Sequence, residues 1–136
     1  MILKILSEKQ KQYLLACRWS EMCIMLSKAA FFGDKDAFDK VQRSSSPSAA
    51  KKIGRSVRGF DQAQWDDVIE EIAFETVYQK FAKVSGLREK LLATANKLLV
   101  EASPSDVVWG IGLKRTDPRI HDMKPVSYTH LTLPTT

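Results

Sequence analysis

The sequence predicts a mainly α-helical chain, a single multi-helical domain with a small β element. Three observations carry that expectation. Helix-capping residues stand at intervals along the chain, at Ser20, at Asp34, and at Ser46 ahead of Pro47. Between Trp65 and Val84, apolar side chains recur every three or four residues, the period of a helix with one buried face. With 136 residues, 44% hydrophobic and 27% charged, the chain is long and apolar enough for one domain with its own core.

The elements follow in order. Ser20 is expected to cap a helix running to Phe32, with Gly33 as its stop. Asp34 then caps a short helix through Val41. Arg43-Ser44-Ser45-Ser46 is a polar break, after which Ser46-Pro47 supplies a cap and a first helical residue for a helix to Ile53. Gly54 ends or bends that helix. The longest helix is expected from Asp61 to Val84, with Trp65, Ile69, Ile72, Val77 and Phe81 on the apolar stripe and Asp66, Glu70 and Lys80 opposite. Leu87 to Ala95 reads as a further helix with Leu91 and Leu92 buried. Leu98–Glu101 and Val107–Leu113 are the segments with strand character.

Several classes are disfavoured. No apolar run approaches the roughly 18 residues that span a bilayer, and the N-terminus lacks the pattern of a signal peptide. A cytoplasmic location is expected, with no membrane partner. Cys17 and Cys23 make no disulfide framework and, if both lie on one helix, point to different faces, so free thiols are expected. His121 and His130 have no ligand-like partners and no zinc spacing exists, so a mechanism without metal is expected. Much of the net charge of +5 gathers at Lys51, Lys52, Arg55 and Arg58, which reads either as a solvated helix face or as a phosphate or nucleic-acid contact surface.

Residues 91–113 pack a helix end, a turn and a tryptophan-glycine pair into a short stretch, with Asp106 next to Trp109. A carboxylate near an aromatic face can stabilise a developing cation or activate water. Glu21 and Lys28, seven residues apart, point within about 20° of each other on a helix and are separated by a rise of roughly 10 Å. They can line one cleft without forming a salt bridge. Singly, each has a structural reading: Glu21 favouring a helix N-terminus, Lys28 solvated, Trp65 and Trp109 in the core, Asp106 in a turn.

Together the motifs resemble the NADAR (YbiA-like) family. The matching pieces begin with Glu21-Met-Cys-Ile-Met-Leu-Ser-Lys28-Ala29 and Phe32-Gly33-Asp34. They continue with Ser46-Pro47-x-x-Ala50-Lys51-x-x-Gly54-Arg55, Val57-Arg58-Gly59-Phe60-Asp61 and Trp65. Leu87-Arg88-x-Lys90-Leu91-Leu92-Ala93-Thr94 follows, then Leu99-Val100-Glu101-Ala102-Ser103-Pro104-x-Asp106-x-x-Trp109-Gly110-Ile111-Gly112. Each motif is weak alone, but their order and spacing are specific.

The resemblance implies a YbiA-like, mainly α-helical, metal-free and cofactor-free N-glycosidase. Such enzymes cleave the bond between a ribose C1′ and a nitrogen, in phosphorylated riboflavin-pathway intermediates or in ADP-ribosylated guanine. Glu21 and Asp106 are expected as the catalytic acid/base pair, in unassigned order. Lys28 is expected either to anchor substrate or to attack C1′ through a Schiff base. Trp65, Trp109, Arg55 and Arg58 are expected to bind substrate, the arginines through phosphate, though bracing the bends at Gly54 and Gly59 is an equal reading for them. The partner is a ribose phosphate or an ADP-ribosylated base, free or carried on nucleic acid. A noncatalytic binder of nucleotide or ADP-ribosylated nucleic acid, and an inactive gene fragment, are the alternatives.

The match has gaps. Residues 1–18 form a divergent segment without the aromatic motif and strand that family members carry there. Cys23 replaces an aromatic residue two positions after the glutamate. The family-like domain is expected over 19–125, truncated at both ends and therefore unstable or inactive. Residues 126–136 read as a non-native tail translated from a sequencing adapter.

Overall fold

A computed structural model describes residues 2–6, 12–106 and 109–121. The tail expected at 126–136, Val107 and Val108 lie outside the described residues. The chain divides into two compact units, Met1–Ala93 and Thr94–Thr136.

The first unit opens with an antiparallel hairpin of β1 (Ile2–Leu6) and β2 (Gln12–Ala16), in register from Ile2 opposite Ala16 to Leu6 opposite Gln12. Five helices follow: α1 (Ser20–Phe31), α2 (Lys35–Gln42), α3 (Pro47–Gly54), α4 (Gln62–Lys83) and α5 (Leu87–Leu92). Helix α1 is the hub, packed against α2, α3, α4 and β2. The chain is mainly helical, and among the described residues no helix is long and apolar enough to cross a membrane.

Two of the three expected caps form, and Asp61, expected only as the start of its helix, adds another. Asp34 accepts from the Ala37 N–H at 3.1 Å, Ser46 from the Ala49 N–H at 3.2 Å, and Asp61 from the Gln64 N–H at 2.9 Å. Each satisfies an N–H that the first helical turn leaves without an intrahelical partner. Ser20 does not cap. It is the first residue of α1, while extended Trp19 holds the cap position without a side-chain bond. Gly33 takes φ +70, the left-handed conformation that stops the helix at the residue expected.

Met22, Cys23 and Leu26 of α1 pack against Val41 and Ala50, and Ala29 packs against Ala37 and Val57. Helix α3 lies so close to α1 that a Cβ at Gly54 would run into the Met25 side chain. That contact accounts for glycine at the end of α3.

Four expectations are corrected. The strands expected over 98–101 and 107–113 are not found in the described residues. Leu98, Leu99 and Val100 are exposed, and the two segments meet through one backbone bond, Ile111 N–H to Glu101 C=O at 3.0 Å, where a strand pair needs a ladder. The β structure instead occupies the N-terminal segment where no strand was expected. Helix α5 stops at Leu92 and buries nothing; Leu92 is 67% exposed, since so short a helix packed on α4 covers little surface. Helix α4 buries Trp65, Ile72 and Thr76, while Val84 is exposed. At 22 residues it is nearly twice the length of the 12-residue α1 and is not covered along its whole stripe.

The cysteines are the fourth correction. Cys17 and Cys23 form a disulfide, with Cα atoms 5.5 Å apart. The helical-face argument fails because Cys17 lies outside α1, on the segment that turns back into it from β2. Both residues are buried in the core. Reduction is expected to lower stability by about 2 kcal/mol, the loop-closure entropy of a short ring. Urea denaturation with and without reductant measures this, and coincident midpoints would show that the bond contributes nothing.

Candidate functional site

Helix α1 carries Glu21 in its first turn and Lys28 in its last, and both side chains are half-buried. Their neighbours Met22, Cys23, Leu26 and Ala29 are fully committed to the core. The pair therefore sits on the margin of the buried face, where a side chain is fixed at its base and reaches water at its tip. Glu21 makes no side-chain hydrogen bond among the described residues.

Lys28 is surrounded by rings. Its Nζ lies 3.7 Å from the centroid of Phe60 and 5.7 Å from that of Trp65. Trp65 is buried and packs edge-on with Phe31 at 6.3 Å; Phe32 contacts both Trp65, at 6.3 Å, and Phe60, at 5.4 Å. An ammonium over a ring face is attracted by the π electrons. It also loses hydration, and burial pushes the Lys28 pKa below the ordinary lysine value. Lys28 thus has an environment unlike that of a solvated lysine, and it shares it with Trp65. Phe60 is the member that sequence reasoning passed over, although an aromatic side chain between a glycine and a helix cap is a recognisable signal.

The arginines part company. Arg55 caps the C-terminus of α3; it is exposed and its side chain bonds to none of the described residues. Arg58 is engaged. Its backbone N–H donates to Asp34 Oδ2 at 2.8 Å, its Nε and Nη2 to Asp34 Oδ1 at 3.3 and 3.0 Å, and Nη2 also to Asp36 at 2.8 Å. Two carboxylates beside one guanidinium leave little positive field for a phosphate. Arg58 braces the turn after Val57, the structural reading of this residue. The same bonds hold the Asp34 carboxyl well below the usual carboxylate range, through the Arg58 side chain first, then the Arg58 and Ala37 N–H groups.

Asp106 and Trp109 belong to the second unit. Asp106 Oδ1 accepts from the Trp109 backbone N–H at 2.8 Å, so the carboxylate orders the turn that presents the half-buried indole. Gly110 is enclosed, and a Cβ there would lie 2.6 Å from the Asp106 carbonyl oxygen. The carboxylate and the glycine specify one compact turn.

Fold and site define a helical domain whose first helix sets a carboxylate and a lysine along one margin, the lysine against an aromatic wall. Residues 3–126 match the family model described as the NADAR domain, and the chain belongs to that family. An N-glycosidase of Acanthamoeba polyphaga mimivirus is 43% identical over 94 residues, covering 69% of this chain and 55% of the relative. The N-glycosidase YbiA of Escherichia coli is 34% identical over 85 residues, 62% of this chain and 53% of the relative. A chloroplastic riboflavin biosynthesis protein of Arabidopsis thaliana, PYRR, is 36% identical over 81 residues, 57% of this chain and 14% of the relative. The chain spans about half the length of the N-glycosidases it matches.

The Asp34 bonds generate an acid dependence. A carboxyl whose folded pKa is depressed adds stability above its unfolded value, near 4, and that stability is lost as pH falls through the folded value. Asp117, held at about 2 by the Arg119 side chain and N–H, adds a contribution of the same sign. The protein is expected to lose stability on acidification below about pH 4. Asp34→Asn should lower the melting temperature by several degrees at neutral pH and flatten the acid slope. An unchanged slope in a melting series from pH 7 to pH 2 would remove Asp34 from this account.

Proposed function

We propose that this chain carries an N-glycosidase site that hydrolyses the bond between a ribose C1′ and a nitrogen. The observation that carries the reading is Lys28, desolvated against Phe60 and Trp65 on the same helix as Glu21, in a chain of the NADAR family. The N-glycosidase names of its relatives support the reaction class, and the riboflavin biosynthesis relative supports a phosphorylated ribosylamine as substrate. ADP-ribosylated guanine, free or on nucleic acid, is the second substrate class the reading admits.

In hydrolysis the C1′–N electron pair leaves with the nitrogen, which takes up a proton, and a water oxygen bonds to C1′ as it loses one. The sugar passes through an oxocarbenium-like state that a carboxylate stabilises. Glu21 and Asp106 are assigned to the proton transfers. Asp106 accepts from the Trp109 N–H through Oδ1, which fixes the carboxylate within its turn. Lys28 has two possible parts. As an ammonium it anchors a ribose phosphate. As an amine it bonds to C1′ while the base departs with its electron pair and takes up a proton, giving a glycosylamine. The C1′–O4′ bond then opens as the amine proton passes to O4′, and water hydrolyses the resulting imine to release the sugar and the free amine. Its lowered pKa makes the amine more available than in a solvated lysine. Trp109 offers a half-buried ring to a base, Trp65 takes part as the buried wall beside Lys28, and phosphate contacts fall to Arg55, since Arg58 is bound to Asp34 and Asp36. Water and proton transfers suffice, and no cofactor is called for.

Chromatography of the released base from each substrate class tests the assignment. Glu21→Gln and Asp106→Asn are each expected to cut turnover by about 10²- to 10⁴-fold. Asparagine keeps the oxygen that accepts from Trp109, so a loss in that variant reports on chemistry more than on folding. Undiminished turnover in both variants would refute the roles, and binding without any base release would favour a noncatalytic binder.

A further inference from the structure

The turn over 57–61 is held at both ends and carries an aromatic ring at its centre. Val57 is buried against Ala29 and Ala37. Arg58 is tied to Asp34 through its backbone N–H and its guanidinium. Gly59 takes φ +71, a conformation that glycine adopts at little cost. Asp61 caps α4. Between these fixed points Phe60 remains 39% exposed and sets the face of its ring 3.7 Å from Lys28 Nζ, with Phe32 against it at 5.4 Å.

A half-exposed phenylalanine held so firmly contributes little to core packing. Its ring contacts the lysine and Phe32, and no carboxylate among the described residues forms an ion pair with Lys28. We propose that Phe60 is a positioning residue for Lys28, its ring face fixing where the ammonium sits at the end of α1. Arg58 and Asp34 act one step further back, by holding the turn that presents the ring. The assignment deepens the glycosidase reading, on which its meaning for catalysis rests.

The chemistry explains why a ring serves here. A carboxylate partner would lock the ammonium in a salt bridge and raise its pKa. A ring face holds it by a weaker attraction, which a substrate phosphate or carbonyl can replace. Leucine would retain an apolar neighbour and lose that attraction. The lysine tip would then spend more time elsewhere and more of it as free amine.

The test needs no substrate. Lysine acylation by acetic anhydride, followed on the full chain by peptide mass spectrometry at fixed pH, reads how available the Lys28 amine is. Phe60→Leu is expected to speed acylation at Lys28 by about 2- to 30-fold, the range of a cation–π contact, while the other lysines keep their rates. Phe60→Trp, which restores a ring face, should return Lys28 to the slow rate. In the unsubstituted protein the Lys28 Hε resonances should lie upfield of those of the other lysines, through the ring current of Phe60. This second readout holds even if a variant fails to fold. Unperturbed Hε resonances, or a Lys28 acylation rate in folded Phe60→Leu equal to that of the parent, would overturn the assignment. Because both readouts are independent of turnover, they can succeed where the glycosidase reading fails, and the reverse.

Discussion

The Asp34 carboxylate joins the start of α2 to the turn that precedes α4. One oxygen accepts from the Ala37 N–H and starts α2; both accept from Arg58 and anchor the turn before α4. The side chain is buried, and a buried carboxylate is tolerated when it is paired and hydrogen-bonded. Removing it would leave the α2 N–H uncapped and Arg58 held by Asp36 alone. The position of Phe60, and through it the surroundings of Lys28, depends on this group. The local chemistry of the lysine is thus set partly by a residue that does not touch it.

Sequence reasoning succeeded where a short-range rule decides the structure. The caps at Asp34 and Ser46 need a side-chain oxygen three residues before an N–H, and the helices begin where those residues predict. Gly33 stops α1 for an equally local reason. It failed where the outcome rests on partners distant in the chain. Leu98–Val100 has strand composition but no neighbouring ladder. Ile2–Leu6 finds one in Gln12–Ala16, across a connection that propensity does not reveal. Cys17 meets Cys23 because β2 leads back into α1, a matter of chain path and not of helical angle.

The site shows the same division. The seven-residue spacing of Glu21 and Lys28 could be read directly, since both lie on one helix. That Arg58 would be consumed by Asp34 and Asp36 could not, because a basic residue looks alike in sequence whether it faces phosphate or carboxylate. A second constraint comes from Cys23, which stands two residues from Glu21 and within a disulfide. Disulfides are uncommon in reducing compartments. The cytoplasmic location expected from sequence and this bond therefore pull in opposite directions, and the redox state around the chain bears on how firmly the start of α1 is held.

These features combine into an argument about reactivity. Lys28 is reached from one side by desolvation, which favours the neutral amine, and from the other by a ring face, which favours the ammonium. Burial pushes the pKa below the ordinary lysine value, toward the amine. A carboxylate in place of Phe60 would reverse that balance. An aromatic neighbour is the arrangement that keeps a lysine in place without giving up its basic form. Under the proposed cleavage at a sugar C1′ both forms would have a use, the charged one toward phosphate and the neutral one toward carbon. The turn from Val57 to Asp61, held by Arg58 at one end and the Asp61 cap at the other, fixes the ring on which that arrangement depends.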